Sequence, residues 1–308
     1  MLTSEKEFLN YDQQIEKLLS KNMQINDVDE AKKVLKTTSY YSLISGYKDI
    51  FKKGNSKNYN IDVDFSKIYI LYLFDEALRE LLMRVILKIE RHIKSLYSYA
   101  FTEKHGEKQE AYLNVNNFKY LQYQDEVNKL VGILRKIIQE NSKSYDYIQH
   151  HKEKYSNVPL WVLVNTLTFG NMSKIYEYST DDIQIKISKE FVDVNNIQLA
   201  SMLNVITKFR NVCAHNERLY NYKIKKKSIK DLKLHKKLNE NGLNNVGKND
   251  IFSIMICFRY LFSDKAFKKI LDDLAYLIDQ LDRIGQNYKE EVLRQMGFPK
   301  EWNRLLLL

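Results

Sequence analysis

The chain has very few residues that interrupt regular secondary structure. Only two prolines and nine glycines occur among its 308 residues. β-Sandwiches and β-barrels need frequent turn residues, so this scarcity argues against an all-β fold and favours long helices joined by short connections. The 44% hydrophobic composition is that of a globular protein with a sizeable core rather than of a disordered chain.

Cysteine is also scarce. Cys213 and Cys257 are too few for a disulfide framework and lack the spacing of zinc ligands. Both have apolar neighbours in the sequence, which predicts two buried thiols. The sequence contains no glycine loop of the phosphate-binding type and no pattern of metal ligands, so it predicts neither a cofactor nor a metal site.

Long apolar runs are missing as well. No stretch reaches the ~18 uncharged apolar residues of a membrane-spanning helix. The N-terminal residues, MLTSEKEFLNYDQQ, lack the apolar core of a signal peptide. These features predict a soluble cytoplasmic protein with no membrane partner.

Basic residues are in excess. Lysine and arginine number 49 against 39 acidic residues, which gives a formal net charge of +10. A positive field attracts polyanions such as RNA or DNA. The chain is also rich in lysine, asparagine, isoleucine and tyrosine, which A/T-rich codons encode, so mutational bias is an alternative source of part of this excess.

The strongest helical pattern covers residues 65–101. Apolar residues recur there at steps of three and four from Leu71 to Ala100, which predicts one long amphipathic helix at the centre of a bundle. Its charged residues, among them Asp75 and Arg79, fall off the apolar stripe and are expected to face solvent.

Weaker patterns predict the rest of an all-α, multi-helix bundle. They indicate helices at 124–141, 181–193, 196–210, 249–262 and 265–284, a helix that follows Pro159 and pauses at Gly170, and two short helices within 28–52 broken near Gly46. Residues 53–63 and the lysine-rich residues 223–249 are expected to form loops. With no repeat or linker, the pattern predicts one domain over residues 1–308 that carries an inserted basic segment.

The stretch RNVCAHNERLYN, residues 210–221, carries the residues best suited to chemistry. Metal-free RNA cleavage needs a base for the ribose 2′-OH, an acid for the leaving 5′ oxygen and a cation for the phosphate. The pKa of histidine, ordinarily about 6.5, lets His215 perform either proton transfer near neutral pH. Arg210 offers donors matched to phosphate oxygens, and Asn211 would orient the ring or the phosphate.

The spacing of this motif predicts a second subunit. Five helical positions separate Arg210 from His215 by about 140° around a helix axis. Either the helix ends or bends between them, or the site draws on two copies of the chain. Since one histidine cannot serve as both acid and base in the same step, a two-fold homodimer would supply the second His215. The alternative is a structural histidine near a helix end beside a surface arginine, because short motifs also occur by chance.

Five sequence blocks together resemble the Abi-like, or abortive-infection, proteins of bacteria, which are grouped in the HEPN superfamily. The blocks are RNVCAHNERLYN, SYYSLISGY at 39–47, LYLFDEALRELLMRVILKIERHIKS at 71–95, PLWVLVNTLTFGNMSKIY at 159–176 and MGFPKEW at 296–302. The resemblance implies an all-α fold, dimerisation, metal-independent endoribonuclease activity that leaves a 2′,3′-cyclic phosphate, and catalytic roles for Arg210, Asn211 and His215. It also implies phage defence or a toxin–antitoxin pair, with a structured noncoding RNA as a further partner.

Lysines follow the motif directly and predict an RNA-binding segment. They are Lys223, Lys225, Lys226, Lys227, Lys230, Lys233, Lys236 and Lys237. Tyr220 precedes them and is a candidate for stacking on unpaired bases. The alternatives are a solvated lysine face and a tyrosine that packs in the core. Three functions remain open: an endoribonuclease, an RNA-binding protein that does not cleave, and a helical adaptor.

Overall fold

A computed structural model describes residues 7–52, 54, 56–140, 144–226 and 228–308. Within these ranges the regular structure is helical, without β-strands, which confirms the all-α prediction. The α-helices are α1 (Tyr11–Leu19), α2 (Val28–Thr38), α3 (Phe65–His105), α4 (Gln109–Leu113), α5 (Gln124–Gln139), α6 (Asp146–Tyr155), α7 (Leu160–Leu163), α8 (Phe169–Tyr178), α9 (Asp181–Ser188), α10 (Asn196–Ala214), α11 (Lys233–Glu240), α12 (Ile251–Leu261), α13 (Asp264–Asp279), α14 (Gln286–Gln295) and α15 (Trp302–Leu305). None of these described helices has both the length and the apolar character of a membrane span.

Helix α3 is the axis of the bundle, as its periodicity predicts. It begins at Asp64, whose side chain accepts a hydrogen bond from the Lys67 backbone N–H at 3.2 Å, and it ends at Gly106, where φ is +87°. Its 41 residues extend for about 60 Å. The apolar stripe of α3 is buried against α7, α8, α9, α10 and α13.

Helix α10 runs antiparallel to α3 and carries the Arg210–His215 motif. The residues that follow α10 contact the first half of α3, since Leu219 donates a backbone hydrogen bond to Asp75. Helix α9, which precedes α10, contacts the far end of α3 through an ion pair of 2.7 Å between Lys104 and Asp182. The motif therefore lies near the N-terminal half of the longest helix.

Several predicted boundaries are wrong because side-chain caps, rather than glycines, interrupt the helices. The break after α7 falls before Thr168, whose hydroxyl accepts a hydrogen bond from the Asn171 N–H at 3.2 Å, and Gly170 lies inside α8. Within 28–52 a first break comes at Ser39, with φ of +61°, and the predicted break near Gly46 follows the short π-helical turn Tyr41–Ser45, although Gly46 keeps a right-handed φ of −73°.

The basic segment is not a free loop, which corrects the prediction for residues 223–249. It contains α11, and its lysines alternate with apolar side chains that are buried in the core. The buried residues are Ile224, Ile229, Leu232, Leu234 and Leu238. His235 is also buried, and its Nδ1 accepts the Leu232 N–H at 3.1 Å while Nε2 bonds the Gly247 carbonyl at 3.0 Å. The segment is thus anchored along its length.

The start of α12 explains the MGFPKEW block. Asp250 caps the helix by accepting the Ser253 N–H at 3.1 Å, and its carboxylate fills the space where a Cβ of Gly297 would lie. Gly297 also has φ of +84°, which favours glycine. Burial raises the pKa of Asp250 to about 6, although the backbone N–H of Ser253 and the charge of Lys223 oppose the rise.

We expect the Asp250→Asn variant to reveal this raised pKa in the pH dependence of unfolding. The folded carboxyl binds its proton more tightly than the unfolded one, so the stability it contributes is present below about pH 4 and is lost as the pH rises through about 6. The free energy of unfolding of the wild type, relative to Asp250→Asn, should fall by about 2–3 kcal/mol over that interval. Urea titrations between pH 3.5 and 7.5 measure this difference, and a constant difference would contradict the prediction.

Candidate functional site

The end of α10 presents His215 at a helix C-cap. Asn216 adopts a left-handed φ of +54°, the Glu217 N–H donates to the Val212 carbonyl at 3.1 Å, and the Asn216 N–H donates to the Cys213 carbonyl at 3.3 Å. These bonds form a Schellman closure, which satisfies the last carbonyls and turns the chain away from the helix axis. Helix α10 continues past Arg210 to Ala214 and has His215 as its C-cap, so the two positions stay about 140° apart around the axis and the two-copy alternative is the one that fits.

The three predicted catalytic residues lie together on this helix end. Asn211 and His215 are exposed, and the His215 backbone N–H donates to the Asn211 carbonyl at 3.0 Å. Arg210 is half-buried, and its Nε is buried without a hydrogen-bond partner among the described residues. Because Nε is buried, an incoming anion would have to accept from the terminal guanidinium nitrogens of this half-buried side chain.

A buried carboxylate holds the chain that follows the motif. Asp75 accepts hydrogen bonds from the backbone N–H groups of Leu219 at 2.9 Å and Tyr220 at 2.6 Å. It also accepts from the Tyr47 hydroxyl and the Arg79 guanidinium, each at 2.6 Å. Asp75 is fully buried and Arg79 is 5% exposed, so the prediction that both face solvent is wrong. They are the main structural residues of the site that the sequence did not reveal.

The Asp75–Arg79 pair has the character of a structural ion pair. Burial raises the pKa of Asp75, while the Tyr47 hydroxyl, the backbone amides and the Arg79 charge oppose that rise. Arg79 also donates to the Glu217 carbonyl at 3.3 Å. With both charges satisfied, the pair fastens residues 217–220 to α3 and fixes the direction in which the chain leaves His215.

A second anchor connects the motif to the SYYSLISGY block. The guanidinium of Arg218 donates a hydrogen bond to the carbonyl of Gly46. The Tyr47 ring stacks on Tyr220 at a centroid distance of 5.9 Å. Two blocks about 170 positions apart in the chain therefore form one unit around the turn after His215.

The PLWVLVNTLTFGNMSKIY block supports the other side of α10. Helix α8 packs against α10, and a Cβ at Gly170 would lie 3.6 Å from Cγ2 of Thr207, one turn before Arg210. A small residue at position 170 lets the two helices approach closely. Glu90 on α3 pairs with Lys94 at 2.8 Å.

The lysine-rich segment runs back along α10 from the motif. Tyr222 packs on Phe209 at a centroid distance of 5.4 Å, the Lys230 N–H donates to the Ser201 hydroxyl at 3.0 Å, and Gln198 donates to the Asp231 carbonyl at 2.5 Å. Among the predicted RNA-binding lysines, the exposed ones are Lys223, Lys225, Lys226, Lys230, Lys233, Lys236 and Lys237. Lys227 lies outside the described residues. The segment lays a row of positive charge beside the motif helix.

Not every predicted contact residue is free to meet RNA. Lys233 pairs with Asp193 at 2.5 Å, and Lys237 donates to the Leu308 carbonyl at 2.5 Å. Tyr220 is 1% exposed and packs under Tyr47, so the prediction that it stacks on RNA bases is wrong. Its position directly after the anchored turn makes it a core residue.

An apolar groove of about 860 Å³ borders the motif along α3. Met83, Leu87, Cys213 and Asn216 contribute to its lining, and Leu87 is 47% exposed. Cys213 is therefore half-buried at this groove rather than fully buried as expected, while Cys257 is buried. Its surroundings still raise the pKa of the Cys213 thiol to about 12 through burial.

The fold and the site define a helical-bundle protein that displays an arginine, an amide and a histidine at one exposed helix end. Comparison with family models gives a match to the one described as Abi-like protein over residues 33–221, more than half of the chain. The chain belongs to this family, and membership indicates a function of the abortive-infection type. The matched range includes Arg210, Asn211 and His215 but ends before the lysine segment and the MGFPKEW block. No curated protein and no solved structure matches the chain significantly.

Proposed function

We propose that the chain is a metal-independent endoribonuclease of the HEPN type that acts in phage defence or as the toxin of a toxin–antitoxin pair. The observation that carries this proposal is the helix end itself. Arg210, Asn211 and His215 share it, two of them are exposed, and the buried Asp75 fixes the chain just beyond it. Membership of the Abi-like family supports the proposal independently.

Each residue has one task in the proposed reaction. The imidazole of one His215 takes the proton of the ribose 2′-OH, and the resulting oxygen attacks the adjacent phosphorus. Arg210 balances the charge of the five-coordinate phosphate, and Asn211 donates to one of its oxygens. A protonated His215 gives its proton to the departing 5′ oxygen, which leaves a 2′,3′-cyclic phosphate on one product and a free 5′-OH on the other.

A homodimer would bring the second His215 to the same phosphate. The groove with Met83 and Leu87 lies directly beside the motif, and a second copy could cover these apolar side chains. A two-fold axis through this region would place two identical helix ends opposite each other. The exposed lysines between Lys223 and Lys236 would then hold RNA on either side of the paired motifs.

We expect wild-type protein to cleave labelled RNA in the presence of EDTA and to release products ending in a 2′,3′-cyclic phosphate. Activity per chain should fall when the protein is diluted below the concentration at which sedimentation detects dimers. Gel analysis with chemical mapping of the product ends measures the first result, and a dilution series measures the second. Cleavage that requires a divalent ion, or a monomer that retains full activity, would contradict the proposal.

The second candidate is a protein that binds a structured noncoding RNA without cleaving it. The exposed lysines beside the motif helix support this candidate, because they suit RNA binding whether or not the chain cleaves. An RNA that co-purifies intact with the wild type and survives incubation in EDTA would favour this candidate.

A further inference from the structure

A cavity of about 600 Å³ adjoins the motif and shares Arg79 and Asn216 with the lining of the apolar groove. Asn216, the residue after His215, lines it together with Glu217 and Arg218. The opposite wall comes from the end of α2 and the turn that follows, and it carries the hydroxyl groups of Thr37, Thr38, Ser42 and Ser45. The Thr37 and Thr38 hydroxyls donate to the Val34 carbonyl, so they offer only acceptor lone pairs to a base, while the Ser42 and Ser45 hydroxyls can also donate to base edges or ribose oxygens.

Tyr41 stands at the outer edge of this cavity. It is 78% exposed, the most exposed of the described tyrosines. Tyr41 and Ser45 also line a second cavity of about 620 Å³, so the two spaces adjoin. An uncovered aromatic ring between two cavities offers a face on which an unpaired base can stack.

The second cavity is bordered by lysines. Lys17, Lys21 and Lys48 line it, and Lys52 and Lys57 lie close enough to act electrostatically on Lys21. Within the described residues none of these five lysines forms an ion pair, although Glu7 also lines the cavity. The pKa of Lys21 is lowered by partial burial and by the four neighbouring positive charges. Asp49 acts electrostatically on Lys52, and the excess of positive charge that remains favours an anion with several phosphates.

We propose that a single strand of RNA crosses this surface on its way to His215, with phosphates at the lysine cluster and an unpaired base against Tyr41. The next nucleotide would enter the hydroxyl-lined cavity beside Asn216. This inference rests on the proposed function, because it assumes that RNA is the ligand of the motif. It adds a binding surface formed by residues 17–57, separate from the lysine segment that follows the motif.

Fluorescence anisotropy with a labelled, unstructured 12-nucleotide RNA tests this assignment in a His215→Ala background, where the RNA stays intact. The Lys17→Glu, Lys21→Glu double substitution should weaken binding at least tenfold at 0.1 M salt. It should also reduce the slope of log Kd against log salt by about 1.4, since each lysine–phosphate contact to a single strand contributes about 0.7. Tyr41→Ala should weaken binding about tenfold, and a duplex of the same sequence should be unaffected by that change.

Two variants serve as matched controls. The first is the double substitution Lys152→Glu, Lys154→Glu on α6. The second is Tyr99→Ala, whose ring is 66% exposed and lies about 30 Å along α3 from Arg79. Both should bind within twofold of the parent. Equal losses in the controls and the test variants would overturn the inference, as would binding unchanged in all of them. Either result leaves the proposed function unaffected. If the His215→Ala parent protein binds no RNA, both this inference and the proposed function are refuted.

Discussion

The His215→Ala variant is expected to lose RNA cleavage by about 10⁴-fold while it folds and binds RNA like the wild type. In the proposed dimer one substitution removes both the general base and the general acid, and each such group contributes about 10²- to 10⁴-fold. The side chain is exposed at a helix cap, and its structural bond comes from its backbone N–H, which alanine keeps. Initial cleavage rates in EDTA, thermal melting and RNA anisotropy measure the three properties separately.

Two further variants sharpen this experiment. His150 is an exposed histidine on α6, so His150→Ala is the matched control and should cleave at the wild-type rate. Arg210→Lys keeps a positive charge but loses the planar fork of donors, so it should cleave at least tenfold more slowly. Cleavage that persists in His215→Ala would refute the catalytic assignment. An inactive wild type that still binds RNA would instead favour the non-cleaving candidate.

The sequence predicted the parts of the fold that depend on local periodicity. Helix α3 and helix α10 follow directly from apolar spacing, and the motif was placed correctly at the end of a helix. Helix α11 is hard to recognise in the sequence because lysines dominate its composition. Leu234 and Leu238, four positions apart, are nevertheless the apolar face of an amphipathic helix. Thr168 is a typical N-cap residue, and it marks the start of α8 more reliably than Gly170 does.

The support for the site could not be predicted because it depends on contacts between distant positions. Asp75 and Arg79 look like any surface pair four residues apart on a helix, and only the approach of residues 217–220 buries them. The bond between Arg218 and Gly46 joins positions 172 residues apart. A single sequence carries no signal for such pairings. The resemblance identified which blocks belong together, and the structure supplies the physical reason.

The Asp75→Ala variant should lose about 3–5 kcal/mol of unfolding free energy. Alanine removes the acceptor of four hydrogen bonds and leaves the 5%-exposed Arg79 without its counterion. Two backbone N–H groups, those of Leu219 and Tyr220, also lose their partner in the interior. Equilibrium urea unfolding measures the change.

Glu80→Ala is the matched control, because Glu80 is an exposed acid on the same helix and its loss should change stability by less than about 0.5 kcal/mol. Adding Arg79→Met to Asp75→Ala should restore part of the lost stability, since the buried charge is then gone.

If the Asp75→Ala protein folds, its rate of RNA cleavage should fall more than its affinity for RNA, because the turn after His215 is no longer held to α3. A loss below about 1 kcal/mol would show that water or another acceptor replaces the carboxylate, and the buried pair would then not be what positions His215.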